Sequence, residues 1–353
     1  MITETSELRQ FYSDRRSWQG SPAIEKTPGG RLLAAFYSGG VTEQLGNYVV
    51  LVKSDDDGRI WSEPVAAVYY GEKARCFDEC LWMDPLGRLW LFWACQPDFV
   101  TKAAICENPD EDELIWGGEF TVGEGVMLNK PIVARDGRWL FPLSVWRRGV
   151  RIGNIPEFEA EDRRAFVYET QDMGRHFRKT GGAECDNRLF DEHMLVEKAD
   201  GTLDMYFRTK GNLAVSHSSD GGVTWSYGKD SGIRSPGSRF FIGRLSSGRL
   251  LLVNHHDFCG RNHLKAMLSE DEGRSFRGFL MIDERQDVSY PDAVEDSDGH
   301  IYIIYDRERG SFGDPKAQAK EILLAKITEN DILSGKVASN GCYLKRIVSK
   351  LVN

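Results

Sequence analysis

Six polar or ionisable residues stand at matching places along the chain. Gln19, Asp78, Asn129, Glu192, Arg239 and Tyr290 each lie eight to eleven residues before a glycine that ends a tight turn. Each opens a stretch that otherwise runs apolar. Their neighbours add Arg75, Glu79, Lys130, Asp191, His193 and Asp292, and seven residues after the turn glycines stand Tyr37, Arg208, His255 and Asp306. Carboxylates, guanidiniums and a phenol of this kind meet if the elements that carry them surround one axis. Converging groups of opposite charge in a cleft mark a candidate site. Arginine holds a ligand carboxylate through two parallel hydrogen bonds. A phenol, with a pKa of about 10, attacks only when a neighbouring carboxylate takes its proton. Taken singly, each of these residues is as readily a polar strand end in a water-filled channel; the set is what argues for a ligand.

The elements that must position them form a repeat. An apolar stretch, a tight turn ending in Gly and a second apolar stretch recur six times, with turn glycines Gly30, Gly87, Gly137, Gly201, Gly248 and Gly299. Their separations run from 47 to 64 residues, about one four-stranded blade each. Asp-Gly or Ser-Gly between β-type runs is a hairpin signal, because Gly accepts positive φ without steric cost. The pattern predicts an all-β fold, a six-bladed β-propeller, read as one domain over residues 1–353 with no linker dividing it. A propeller escapes the size limit of a single core because each blade brings its own. The segment after Asp306 is expected to supply the last blade's remaining strands and a short helix at ITENDILSG. The first segment is expected to pair into the last blade and so protect the sheet edges.

A second repeat lies between the hairpins. Ser54 to Trp61 and Ser218 to Trp225 fit S-x-D-x-G-x-x-W; Ser269 to Phe276 and Thr170 to Phe177 fit it with Phe for Trp and, in the latter, Thr for Ser. The Asp carboxylate and the hydroxyl can bond backbone N–H groups of the turn, and Gly takes the positive φ. Asp56, Asp172, Asp220 and Asp271 therefore read as structural. The stretch around Trp116 is the remnant of a decayed copy in the second blade.

These boxes resemble the Asp-boxes, or BNR repeats, of the sialidase superfamily, and the resemblance covers nearly the whole chain. Sialidases hold the sugar carboxylate with three arginines, attack with a Tyr whose proton is drawn by a Glu, and use an Asp as acid/base. This sets them apart from glycosidases with two carboxylates. The stretch FDEHMLVEKADGTLDMYFR resembles the family's blade with Glu followed by Arg, which implies Glu192 as base and Arg208 as one carboxylate-binding arginine. GRNHLKAMLSEDEG resembles the R-x-N-L strand and implies Arg261 as a second. SYPDAVEDSDGHIYIIYD resembles the nucleophile strand and implies Tyr290. The first-blade Y-R-I-P motif is matched by Trp18-Gln19-Gly20-Ser21-Pro22, which keeps the Pro and lacks the arginine; Arg15 and Arg16 are near but out of place. The loop before the first box, where the acid/base Asp belongs, offers Glu43 instead. Asp78, with Glu79 beside it, is the alternative acid.

Net charge is −9, which speaks against nucleic acid or an anionic membrane as partner. No apolar run approaches membrane-spanning length. The N-terminus shows no signal-peptide pattern, and seven irregularly spaced Cys suit a reducing compartment, so a cytoplasmic protein acting on imported oligosaccharides is expected. Cys76 and Cys80 lack a second pair at zinc spacing, and no cofactor motif occurs, so neither metal nor cofactor is expected.

The leading functional reading is an exo-acting glycoside hydrolase. Tyr290 and Glu192 are its nucleophile and base, and Glu43 or Asp78 its acid. Arg208, Arg261 and Arg239 bind an acidic group, and Gln19, Asn129, His193, His255 and Asp292 make further substrate contacts. The departures in the first blade leave room for a uronic acid or a neutral sugar. A propeller lyase acting on a uronic acid, with His193, His255 or His256 in the proton transfers, is the second reading. A non-catalytic carbohydrate-binding propeller is the third.

Overall fold

Each turn glycine adopts positive φ, from +78° at Gly299 to +96° at Gly30. Its N–H donates to the carbonyl three residues back, as Gly30 does to Thr27 at 2.9 Å and Gly201 to Lys198 at 2.9 Å. Six such turns join the first and second strands of six four-stranded antiparallel sheets in this computed structural model, which describes residues 1–146, 156–309 and 320–351. The sheets are the six blades predicted from the repeat. Blade one comprises Trp18–Lys26, Leu32–Gly39, Tyr48–Ser54 and Ala66–Val68; blade two Arg75–Met83, Leu89–Gln96, Val100–Cys106 and Phe120–Glu124. Blade three comprises Ile132–Val133, Trp139–Ser144, Ala165–Thr170 and Arg178–Ala183; blade four Arg188–Glu197, Leu203–Thr209, Asn212–Ser218 and Lys229–Arg234. Blade five comprises Phe241–Arg244, Leu250–His255, Leu264–Ser269 and Arg277–Asp283; blade six Val288–Glu295, His300–Arg307, Glu321–Thr328 and Tyr343–Lys350.

The first strand of every blade faces the axis. Lys130, just ahead of blade three's first strand, shows this: its Nζ donates to Ile24 O of blade one at 2.6 Å and Leu81 O of blade two at 2.7 Å. It also lies 3.3 Å from Asp292 of blade six. The apolar faces pack blade on blade, with Trp18, Trp90 and Trp93 fully buried. A large side chain buried in this way contributes about 1.5–3 kcal/mol.

The four boxes make the local bonds that their residue types demand. Asp56 Oδ1 accepts from Ile60 N at 2.9 Å and from Arg59 N at 3.1 Å, while Ser54 Oγ accepts from Gly58 N at 3.0 Å. The second blade's copy survives in altered form. Asn108 Oδ1 takes the carboxylate's place, accepting from Ile115 N at 2.8 Å, and Cys106 Sγ stands where the hydroxyl would, 3.2 Å away. Blade six replaces the box with a helix, Glu329–Ser334, capped by Thr328 and Asp331.

The closure differs from the expectation. The first segment lends no strand to blade six; all four strands of that sheet come from residues 288–350. Buried side chains take over the role instead. Asp292 Oδ2 accepts from Ile24 N and Asp306 Oδ2 from Ser21 N, each at 2.9 Å. Gln19 Nε2 donates to Lys320 O at 2.7 Å and Ser349 O at 3.2 Å. The reason is visible in the chain itself: residues 320–350 already supply the strands that a borrowed one would replace. Residues 310–319 of the expected last-blade segment lie outside the described residues.

Candidate functional site

Four first strands carry a β-bulge at one level of the channel. The register shifts between Gly20 and Ala23, Phe77 and Cys80, Asp191 and Met194, and Ser289 and Asp292. Inside each bulge a residue other than Gly holds positive φ: Ser21 at 53°, Asp78 at 48°, Glu192 at 44° and Tyr290 at 56°. Such conformations cost about 1–3 kcal/mol each and persist where surrounding contacts impose them. A bulge turns a side chain away from its alternating place and aims it elsewhere. Here it aims Asp78, Glu192 and Tyr290 into the mouth of the channel. All four residues stand nine before their turn glycine, so Ser21, not Gln19, is blade one's equivalent.

Tyr290 is the centre of the site. Its hydroxyl donates to Glu192 Oε1 at 2.7 Å and accepts from Arg208 Nη1 at 2.9 Å. Arg208 Nη1 also meets Glu192 Oε1 at 2.5 Å. Burial pushes the phenol up from its ordinary value; Arg208 pulls it back, Glu192 pushes it further up, and Arg309 and Arg261 again pull it down. The site thus holds a protonated Tyr whose hydroxyl proton is donated in a hydrogen bond to the Glu192 carboxyl group. Behind Glu192, Arg188 grips Asp191 with Nε at 2.5 Å and Nη2 at 2.8 Å, and this buried pair fixes the bulge. Two buried atoms, Glu192 Oε2 and Arg208 Nε, have no hydrogen-bond partner among the described residues.

Three guanidiniums surround the phenol ring. Arg309 lies 4.2 Å from its centroid, Arg261 5.3 Å and Arg208 6.0 Å. Arg208 and Arg261 were identified from the sequence; Arg309 was not. Arg309 Nη1 donates to Ser21 Oγ at 2.6 Å, and its stem crosses Gly20: a Cβ at Gly20 would stand 2.0 Å from Arg309 Cδ. With the first-blade Pro aligned on Pro22, Gly20 is the position where the arginine is missing. Arg309 fills that space from blade six. Arg261 has no carboxylate partner among the described residues, and burial lowers its pKa, with Arg309 and Arg208 adding to the shift. A cation cluster in this state is complementary to an anion.

Glu43 and Asp78 meet different surroundings. Glu43 lies between Arg75 Nη2 at 3.3 Å and Arg309 Nη2 at 3.7 Å. Burial opposes its charge, but the two arginines prevail and hold it below the usual carboxylate range. Asp78 is buried to 8% exposure and has no hydrogen-bond or ion-pair partner among the described residues. Burial pushes it up to about 7, against Arg75 and with Glu192 and Glu43.

The remaining sequence candidates lie elsewhere. Arg239 is fully buried below the mouth, donating to Asn129 Oδ1 at 2.8 Å, Leu128 O at 2.9 Å and Pro22 O at 3.0 Å. Asn129 Nδ2 donates to Glu192 O at 2.7 Å, and Asp292 joins blades one and six. Gln19 is held at the blade-six junction. His193 Nε2 lies 2.9 Å from Phe166 O and His255 Nε2 2.9 Å from Val288 O. Burial lowers these two rings to about 3 and about 4, so both are neutral. These six residues brace the channel that the mouth residues stand on. Asp296, Asp298 and His300 bring ligand atoms within 4.8 Å of one another, at blade six's hairpin turn on the opposite end of the first strand. Asp296 Oδ1 is committed there to Asp298 N and His300 N.

Solved structures share this architecture at low identity. A Hadza microbial sialidase is 17% identical with a TM-score of 0.64, over 82% of this chain and 63% of that one. The NanB sialidase of Streptococcus pneumoniae is 13% identical with a TM-score of 0.63, over 84% and 66%. A protein of unknown function from Dyadobacter fermentans is 17% identical with a TM-score of 0.64, over 86% and 94%. The chain thus spans slightly under two thirds of the length of the two sialidases. No curated protein sequence matches it. The model of the BNR repeat-like domain matches residues 30–303, which take in four of the six hairpins in full, parts of the first and last, and all four boxes. With most of its length matched and six blades built on those repeats, the chain belongs to the BNR repeat-like domain family.

Proposed function

We propose that this protein is an exo-acting glycoside hydrolase that releases a terminal acidic sugar, with Tyr290 as nucleophile and Glu192 as its base. The observation that carries the reading is the Tyr290–Glu192–Arg208 constellation, a phenol already bonded to its base inside a ring of three guanidiniums. The sialidases to which the chain is similar in fold support the same class. Arg208, Arg261 and Arg309 hold the sugar carboxylate, which places the anomeric carbon over Tyr290. A neutral nucleophile suits that carbon, because an anionic one would be repelled by the adjacent carboxylate. In the first step Glu192 takes the phenol proton, the Tyr290 oxygen bonds to the anomeric carbon, and the glycosidic C–O bond breaks with a proton delivered to the leaving oxygen. In the second step water displaces Tyr290, which recovers its proton from Glu192. His193 and His255 each donate Nε2–H to a backbone carbonyl, and burial lowers both rings to about 3 and about 4, which makes them weak bases for a lyase.

The test is a release assay on aryl glycosides of sialic acid, glucuronic acid, rhamnose and neutral hexoses. Turnover of an acidic glycoside is expected, lost in Tyr290→Phe and Glu192→Gln. An unsaturated product absorbing in the ultraviolet, or silence across the panel from folded protein, would refute the proposal.

A further inference from the structure

The reaction needs a proton donor, and two carboxyl groups reach the mouth of the channel. We infer that Asp78, on the first strand of blade two, is the acid that protonates the leaving group and then the base that activates water, while Glu43 serves to hold Arg75 and Arg309 in place. This rests on the glycosidase reading of the same site.

Three observations separate the two groups. The first is aim: Asp78 occupies the same bulge position in its blade as Glu192 and Tyr290 do in theirs, with φ of 48° beside their 44° and 56°. The same distortion that presents the nucleophile and its base presents Asp78. The second is commitment. Both Glu43 oxygens face a guanidinium, Oε2 toward Arg75 and Oε1 toward Arg309. Protonating Glu43 would unbalance both. Asp78 has no such partner among the described residues, so its proton can come and go without breaking a contact. The third is charge. The groups acting on Asp78 are Arg75 and Arg309, which favour its anion, and Glu192 and Glu43, which with burial favour its acid. Their sum leaves Asp78 near neutrality, whereas Glu43 is held ionised. Neighbouring carboxyls whose surroundings drive them apart in this way divide into an acid and a fixed charge.

The proton balance follows. Asp78 gives its proton to the glycosidic oxygen as the C–O bond breaks, and the alcohol leaves. The resulting carboxylate takes a proton from the water whose oxygen displaces Tyr290, and so returns to its starting state.

Asp78→Asn and Glu43→Gln separate the roles. Asn tolerates left-handed backbone better than other residues that carry a side chain, so Asp78→Asn keeps the bulge. Each variant is assayed against 4-nitrophenyl and benzyl glycosides of the acidic sugar that wild type cleaves; the nitrophenolate departs with little protonation and the benzyl alkoxide requires it. Asp78→Asn is expected to lose at least 100-fold more kcat/KM, which reports the step in which the leaving group departs, on the benzyl than on the nitrophenyl substrate, and to lose the alkaline limb of the pH profile. Glu43→Gln is expected to slow both by the same factor, mostly through KM. Equal losses on both substrates in Asp78→Asn, or a leaving-group dependence in Glu43→Gln, would overturn the assignment while leaving the glycosidase reading intact. A wild type that cleaves neither substrate would overturn both.

Discussion

Gly20→Ala perturbs the site through a residue that is remote in sequence. The backbone at Gly20 is not left-handed, so an L side chain fits its conformation. Its Cβ would stand 2.0 Å from Arg309 Cδ and 2.7 Å from Cγ, far inside contact distance. Both atoms lie along a flexible stem, so the arginine swings away while the strand stays. Arg309 then loses Ser21 Oγ and its place over Tyr290. A hydrogen bond to a charged group is worth about 1.5–3 kcal/mol, which converts to roughly 10- to 150-fold in kcat/KM for an acidic glycoside. A neutral glycoside with the same leaving group should be far less affected. Arg309→Ala should reproduce the loss, and Gly20→Ala added to Arg309→Ala should cost little more, because both remove one interaction. The measurement is the full cycle of four proteins on both glycosides. Losses that multiply across the cycle, or that fall equally on acidic and neutral substrates, would refute Arg309 as the third anion-binding group.

Gly201→Ala tests the hairpins. A Cβ there meets nothing within 4 Å, so the cost is that of holding φ at +83° alone, about 1–2 kcal/mol, read as a lower urea midpoint with activity retained below it. Burial of His193 and His255 weakens the fold in acid. Their folded pKa values, about 3 and about 4, lie below the unfolded value of about 6.5. Stability is therefore full above pH ~6.5 and falls as pH drops toward 4, each ring adding up to about 1.4 kcal/mol per pH unit. His193→Gln should flatten that slope in urea titrations run from pH 7 to pH 4.

The fold was legible because its signals are local. A turn glycine must take positive φ wherever it stands, and the Asp-box bonds its own backbone, so both survive as sequence patterns. Tyr290, Glu192 and Arg208 were legible because they keep fixed distances from those turns, and Arg261 because its stretch resembles the sialidase strand that leads into a box. Gln19 was counted eleven residues before Gly30, whereas the bulge lies nine before it, at Ser21. Arg239, Asn129 and Asp292 occupy the right level of the repeat, but spacing cannot distinguish a side chain facing the mouth from one bonded to a neighbouring blade. Arg309 was illegible because it lies ten residues after Gly299, beyond the positions compared across the blades. Its one trace is negative, a glycine where the related motif has its arginine. The expected strand exchange failed for a similar reason: which segment fills the last sheet depends on the whole ring, not on any window of residues.

The closure by side chains has a further consequence. Among the described residues no blade borrows a strand, so each sheet draws its four strands from consecutive stretches of the chain. The ring can therefore be cut at another inter-blade connection, with the old ends joined, without dividing any sheet. In such a permuted protein the polar junction of Gln19, Asp292 and Asp306 would become covalently bridged. An apolar junction would become the open one, for instance that between blades one and two around Trp18, Tyr37 and Phe77. Whether the circle still shuts would show how far specific polar clasps, as opposed to packing alone, are what makes six blades a ring and not a strip.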